Sequence, residues 1–240
     1  MPARRPHSPE RWRSWHDRPV PDLVADAVLN NAAWCDAVCR AVGLPTRWSA
    51  EVWSVGRRSP DGYPDAETLW RAVSPASVLA GIEDGDGCSV KDSFADLDLA
   101  PAGFHVLFEA TWIGRRASAE AVAPTPGWRE ITTAAELTRW CRRLDVPPLP
   151  PALLAQKGLH VLDAPEAGAG FVLSRTGTVV GVTHAVPGSA DPHALWADVV
   201  ALAARLHPGT DLVGYEHGAD LEHSLTAGFR AVGPLRVWMR

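Results

Sequence analysis

LEHSLTAGFRAVGPLRVWM, Leu221–Met239, is the stretch on which the fold turns. Leu221–Ala227 has the spacing of a short helix, and Gly228 ends it, because glycine enters the left-handed turn at little cost. Phe229 then starts a strand, Arg230–Met239, that returns to a sheet. The same order occurs earlier in the chain. Gly103-Phe104 opens a strand over Phe104–Ile113 (FHVLFEATWI), with Trp112 as its late tryptophan where the second copy has Trp238. Upstream, LAGIEDG at Leu79–Gly85 aligns with LVGYEHG at Leu212–Gly218, and each block follows a Leu-Trp pair, Leu69-Trp70 or Leu195-Trp196. Helix, strand, helix, Gly-Phe, strand therefore occurs twice, as a duplicated unit would. Strands and helices alternating on a mixed sheet define an α/β (α+β) fold.

Working outward, apolar residues at helical spacing predict a helix within residues 21–43, stopped by Gly43 and Pro45. Residues 48–55 alternate as a strand, Asp65 is placed to cap a short helix through Val73, and Val78–Ile82 reads as a strand. Ser89–Phe94 (SVKDSF) reads as a capped helix start, with Ser89 as the cap and Asp92 as its partner. GRRASAEAVAPTPG, between Ile113 and Trp128, has two prolines and no period, which makes residues 116–127 the expected linker. The second half, residues 128–240, opens with a strand at Trp128–Ile131. Thr133 and Glu136 then form a capping-box pattern before a helix through Asp145. Strands follow at Leu159–Leu162, Gly170–Arg175 and Thr178–Val186, the last two joined by the Thr176-Gly177 hairpin signal. Pro192–His207 is an amphipathic helix and Leu212–Tyr215 a strand.

Composition narrows the class of function. Hydrophobic residues make up 46% and charged residues 21% of the chain, an ordinary globular balance. The net charge of −5 and the lack of a basic run beyond the first 18 residues argue against a nucleic-acid partner and against an anionic membrane surface. Residues 1–20 form an Arg- and Trp-containing tail without the apolar core of a signal peptide, so the cytoplasm is expected. Cys35 and Cys39 lie four apart in a helical pattern with no further ligand at zinc-site spacing, so no metal is expected and they read as small buried hydrophobes. Lysine occurs only at Lys91 and Lys157, an Arg- and Ala-rich bias typical of a GC-rich bacterial genome.

The element order of the second half, with its AGFRAVGPLRVW ending, resembles a GNAT-superfamily acetyltransferase, and residues 21–115 resemble a truncated copy. The resemblance implies two GNAT-like mixed-sheet subdomains packed pseudo-symmetrically, a strand of one completing the sheet of the other. It also implies transfer of an acyl group from acetyl-CoA or another acyl-CoA to the amine of a small-molecule substrate. In that family the CoA pyrophosphate rests on the backbone amides of a Gly-rich loop that opens the long helix. The corresponding stretch here makes Val186, Gly188 and Ser189 the cofactor-binding candidates. It carries one glycine, Pro187, Pro192 and Asp191, and Ser224 stands where the family often has a general-acid tyrosine. A different class of function is also open: a catalytically silent GNAT-like module that binds a small molecule or a partner protein, or the same scaffold running a CoA-independent reaction.

Candidate chemistry gathers at a few residues. Tyr215, Glu216 and His217 end a strand, where open α/β sheets place ligands, and Glu216 with His217 could supply a general base. His184 lies on the strand before the long helix, near the expected position of an acyl group. Lys91 and Asp92 form a polar pair suited to an anionic ligand, with Lys91 facing Glu109 or His105. Trp112, with Trp48, Trp53 and Trp128, is expected to line an aromatic crevice between the halves, which makes Lys91, Asp92, Tyr215 and Trp112 the substrate-binding candidates.

Overall fold

The computed structural model describes residues 22–118 and 123–240. The N-terminal tail expected at residues 1–20 lies outside the described residues. In chain order the elements are α1 (Leu23–Ala41), β1 (Thr46–Trp48), β2 (Val52–Val55), β3 (Ala66–Thr68), α2 (Pro75–Leu79), β4 (Ser89–Asp92) and β5 (His105–Arg115). They continue as β6 (Arg129–Glu130), α3 (Ala134–Leu144), β7 (Leu159–Ala164), β8 (Ala169–Thr176), β9 (Val179–Val186), α4 (Pro192–Leu206), β10 (Asp211–Glu216), α5 (Gly218–Thr226) and β11 (Arg230–Met239). All the strands join one mixed sheet in the order β1-β2-β3-β4-β11-β5-β10-β9-β8-β7-β6.

The centre of that sheet fixes its symmetry. β5 and β11 run antiparallel, with His105 opposite Met239 and Gly114 opposite Arg230. A two-fold turn between them carries His105 to Arg230 and Gly114 to Met239, so the ladder maps onto itself. Its two irregularities, the extra residues Leu107 and Val232, are exchanged by the same operation. The turns that feed the strands also match. Gly103 and Gly228 have φ of 84° and 88°, and the amides of Phe104 and Phe229 bond to Leu99 and Ser224 carbonyls. Outside this pair, β4 joins β11 and β10 joins β5, both antiparallel, and each is followed by a parallel partner, β3 or β9.

The long strands are exchanged between the halves. Phe104, at the start of β5, lies in the first-half core with Val78, Val90 and Leu99, whereas Ile113 near its end lies in the second-half core with Leu195, Trp196 and Val199. β11 does the reverse, Phe229 in the second core and Trp238 in the first. Because neighbouring residues of a strand point to opposite faces, Trp112 and Val237 face the other side of the sheet. There they meet α1, α3 and Trp53 in a third core that spans both halves.

α1 can lie this close because the strands under it present hydrogen in place of side chains. A Cβ on Gly181 would fall 1.8 Å from Asn30 Oδ1, and one on Gly114 would fall 2.9 Å from Leu23. Asn30, 4% exposed, anchors the helix by donating to the Ser174 carbonyl at 2.8 Å. Asp36 accepts from the indoles of Trp48 and Trp53, each at 3.0 Å, and so holds the β1–β2 hairpin. On the same face, α3 carries the expected capping box of Thr133 and Glu136.

Four local readings of the first half are corrected. Residues 48–55 are not one strand but a hairpin folded at Ser49–Glu51. Asp65 caps no helix: it accepts from the Ser59 amide (2.7 Å), the Ser89 amide (3.0 Å) and Arg58, and a strand follows. Residues 78–82 belong to α2 and its following turn, and Ser89–Asp92 is a strand. The partner of LVGYEHG in the fold is therefore β4 and not LAGIEDG. The two late tryptophans are likewise one residue out of step: the symmetry pairs Trp112 with Val237 and Ile113 with Trp238.

Substituting Gly181→Ala should destabilise the protein by about 1–3 kcal/mol, because helix and sheet must separate to admit the methyl. Gly56→Ala, where an added Cβ meets nothing within 4 Å, should change stability by less than about 0.5 kcal/mol. Chemical denaturation of the two variants beside the parent checks this.

Candidate functional site

Lys91 on β4 and Tyr215 on β10 come together over the two-fold centre. Lys91 is 4% exposed; its ammonium donates to Asn31 Oδ1 at 2.7 Å and sits 4.3 Å from the centre of the Tyr215 ring. Trp112 supports that ring edge-on at 5.5 Å and donates its indole N–H to the Ser93 carbonyl at 2.7 Å. Lys91 and Tyr215 line a cleft of about 340 Å³ walled by Leu107, Phe108, Val237 and Met239 on one side and by the 58–64 loop on the other. The expected contact of Lys91 with Glu109 or His105 does not form: Glu109 pairs with Arg236, and Lys91 points to the α1 face. Trp112 is fully buried beneath Tyr215 and is a support, not a lining residue. Trp48 and Trp53 pack in the same core, whereas Trp128 stacks on Phe171 in another cluster, so the four tryptophans do not share a crevice.

Glu67 is the neighbour that sequence reading missed. It is opposite Lys91 in the β3–β4 register and is 0% exposed. Ser93 donates to one of its oxygens at 3.3 Å, and the other has no partner. Burial pushes its pKa up to about 7, against the opposing pull of Lys91 and Ser93. Lys91 titrates above the usual lysine value; burial works against the charge, and Tyr215, Glu67 and Cys35 outweigh it. Nothing in DAET marks Glu67 as buried. The Asn30-Asn31 pair, polar on an apolar helix face, was the one legible hint of a polar floor.

The three proposed catalytic residues are not brought into one unit. β9 and β10 pair only from Val179–Asp211 to Gly181–Val213, after which both strands continue unpaired with each other to Val186 and Glu216. His184 stands at this opening with φ of 54°, bonds Thr183 Oγ1 at 2.9 Å and meets Trp34 edge-on at 5.8 Å. Burial lowers its pKa to about 4, so the imidazole is neutral near pH 7. Glu216 alternates with Tyr215 and so faces the opposite side of the sheet. Its pKa is pushed up to about 8 by burial first and Asp220 second. His217 is exposed, starts α5 without a side-chain cap and lies against Phe108 at 5.6 Å. No hydrogen bond joins any two of Glu216, His217 and His184 among the described residues.

Asp92 is the symmetry partner of Glu216, since their strand neighbours Arg236 and Thr111 are exchanged by the two-fold. It is not at the cleft. Its oxygens accept from the amides of Phe94, Asp96 and Leu97 at 3.3, 3.2 and 3.0 Å, a structural tie for the following turn.

The loop before α4 does not fit a pyrophosphate. Ser189 gives both its amide (2.8 Å) and its hydroxyl (3.0 Å) to the Ala167 carbonyl, and the Ala190 amide bonds Pro187. Asp191 occupies the helix start and accepts from His193 at 3.1 Å. Gly188 is needed because a Cβ there would stand 2.4 Å from the Ala167 and Gly168 carbonyls. Val186 packs against the central core. Ser224 gives its hydroxyl to the Leu221 carbonyl at 2.7 Å. The four cysteines are free and buried, and burial raises the Cys88 thiol, which removes it as a nucleophile.

No family model matches the chain, and no curated protein matches it in sequence. Solved structures do. A candidate GNAT-family acetyltransferase from Novosphingobium aromaticivorans superposes with a TM-score of 0.58 at 13% identity, over 93% of this chain and 99% of the other. A GCN5-related N-acetyltransferase from Sphaerobacter thermophilus gives 0.50 at 15% identity, over 92% and 93%. A conserved protein from Staphylococcus epidermidis, described as functionally unknown, gives 0.54 at 6% identity, over 83% and 94%. The chain has the fold of the GNAT acetyltransferases. Among the described residues no helix is long and apolar enough to cross a membrane.

Glu67 and Glu216 both hold protons in the folded state that the unfolded chain releases above the usual glutamate pKa of 4.5. Their effect is therefore greatest stability at or below that value, lost as pH rises through about 7 and then about 8. Thermal unfolding should show a higher midpoint at pH 5 than at pH 8 from these groups, and Glu67→Gln should shrink the difference. An unchanged difference in Glu67→Gln would show that Glu67 is already ionised in the native protein.

Proposed function

We propose that the protein is an acyltransferase that moves an acyl group from a thioester to the amine of a small molecule, with Glu216 as the base. The observation that carries this reading is a carboxylate whose pKa stands near 8 at the end of β10, where β9 and β10 part. An alkyl ammonium is no nucleophile until it loses a proton, and a base titrating near the working pH is suited to take it. His184, neutral at this opening, contributes packing and a hydrogen-bonding edge, not charge. The GNAT fold supports the same reading, as acyl transfer on this scaffold is what the sequence resemblance implies.

The donor is the open part. A loop that spends its Ser189 and Ala190 amides internally and places Asp191 at the helix start favours either a thioester held without its nucleotide, or the second reading, a scaffold that binds a ligand and transfers nothing. Amine acetylation measured with acetyl-CoA and with the acetyl thioester of N-acetylcysteamine separates these. We expect both donors to work with similar kcat/KM, because the 186–191 loop offers the pyrophosphate no free cradle. Glu216→Gln should lower the rate by about 10²-fold or more and remove an inflection of kcat/KM near pH 8. A full set of amines acetylated by neither donor would sink acyl transfer and leave the binding module standing.

A further inference from the structure

The cleft over Lys91 lies on the face of the sheet opposite Glu216. An ammonium taken out of water needs hydrogen-bond acceptors for its three N–H groups. Asn31 accepts one of its three N–H bonds, and Tyr215 stands beside it, its ring centre 4.3 Å away and its hydroxyl interacting with the ammonium. Among the described residues Lys91 forms no ion pair. Glu67, beside it in register, accepts from Ser93 and has its pKa raised to about 7 by burial. The nearby Arg58 is committed to Asp65, and Asp61 stands exposed at the loop. The phenol of Tyr63, a lining residue 7% exposed, also lacks a partner. The floor therefore holds a cation short of an anion and an unpaired hydroxyl, while the wall opposite the loop is apolar: Leu107, Phe108, Val237 and Met239. The volume falls at the small end of ligand pockets, roughly 300–1,000 Å³.

We propose that this cleft binds a small monocarboxylate with an apolar body, its carboxylate on the Lys91 ammonium and its body against Phe108, Val237 and Met239. A carboxylate supplies the acceptors that the ammonium and the phenol lack, and a single negative charge neutralises the floor. The selectivity follows from the same geometry: the isosteric amide brings no charge to pair with the ammonium. The site stands whether or not the protein transfers acyl groups, since Lys91 and Glu216 face opposite sides of the sheet.

Calorimetry on the full chain with phenylacetate, cinnamate and isocaproate, each against its primary amide, tests the assignment. At least one acid should bind, and bind at least about tenfold more tightly than its amide, as expected for a lost charge-assisted hydrogen bond. Lys91→Met should abolish that preference. Leu107→Trp alters a residue 46% exposed at the cleft wall, so it should leave the fold intact while it blocks binding of acid and amide alike. If Lys91→Met fails to fold, Leu107→Trp still decides. Equal affinity for acid and amide, binding that survives Leu107→Trp, or no binding by any of the three acids would overturn the proposal. A protein that binds the acids but acetylates no amine loses the acyl-transfer reading and keeps this one; the converse result does the opposite.

Discussion

The antiparallel pairing of β5 with β11 is the constraint on which the rest of the molecule depends. Each strand leaves its own half, crosses the two-fold centre and closes the core of the other, Ile113 beneath α4 and Trp238 beside Val90. Neither half is complete without the other's last strand. The pairing also joins residues far apart in the chain, so much of the loop-closure entropy is lost before the central ladder forms. The exchange of these strands puts both halves on a single sheet in place of two. The bulges at Leu107 and Val232 take matched positions about the two-fold, each adding one residue to its strand.

α1 packs on strands of both halves and ties them together. Gly114, in β5, and Gly181, in β9, let it lie against strands from the two halves, and Asn30 pins it to β8. Its next residue, Asn31, is the hydrogen-bond acceptor for Lys91. The floor of the cleft thus takes Lys91 from the first half, Tyr215 from the second and Asn31 from the helix between them and solvent. A buried lysine needs such a convergence, since no single element surrounds an ammonium with enough polarity to hold it.

Most of the second half was legible in the sequence because its elements are long and their punctuation is local. The Thr133/Glu136 box, the Thr176-Gly177 hairpin and the Gly228-Phe229 turn are each specified by two or three adjacent residues. The first half misled where its strands are short. β2 and β3 are buried along their whole length and show no alternation to read. Asp65 and Ser89 look like helix caps because the chemistry is the same: a carboxylate or hydroxyl meeting backbone amides serves a loop as well as a helix. The repeated order of elements was visible but its register was not. Four shared letters in LAGIEDG outweighed Lys91-Asp92, which share no letter with Tyr215-Glu216 yet occupy their place. At the site, Lys91 and Tyr215 could be named as candidates, but their meeting across the two-fold needs the tertiary fold, and Glu67 carried no sequence signal at all.

That pair of equivalent positions shows how the surroundings of a carboxyl differ between the two halves. Asp92 and Glu216 end matching strands and face the same side of the sheet, and burial raises both. In the first half the chain turns back at once, so three amides close on Asp92, opposing the effect of burial and leaving its oxygens engaged. In the second half α5 starts directly from His217, and its first turn brings Asp220 near Glu216, a second negative charge that adds to the burial instead of offsetting it. The extra methylene of glutamate and a different next turn are enough to convert a structural carboxylate into one poised to exchange a proton near neutral pH. The same divergence runs one residue earlier, on the other face, where Lys91 supplies charge and Tyr215 the aromatic surface that receives it. Two symmetry-related strand ends thus carry different chemistry on each side of the sheet.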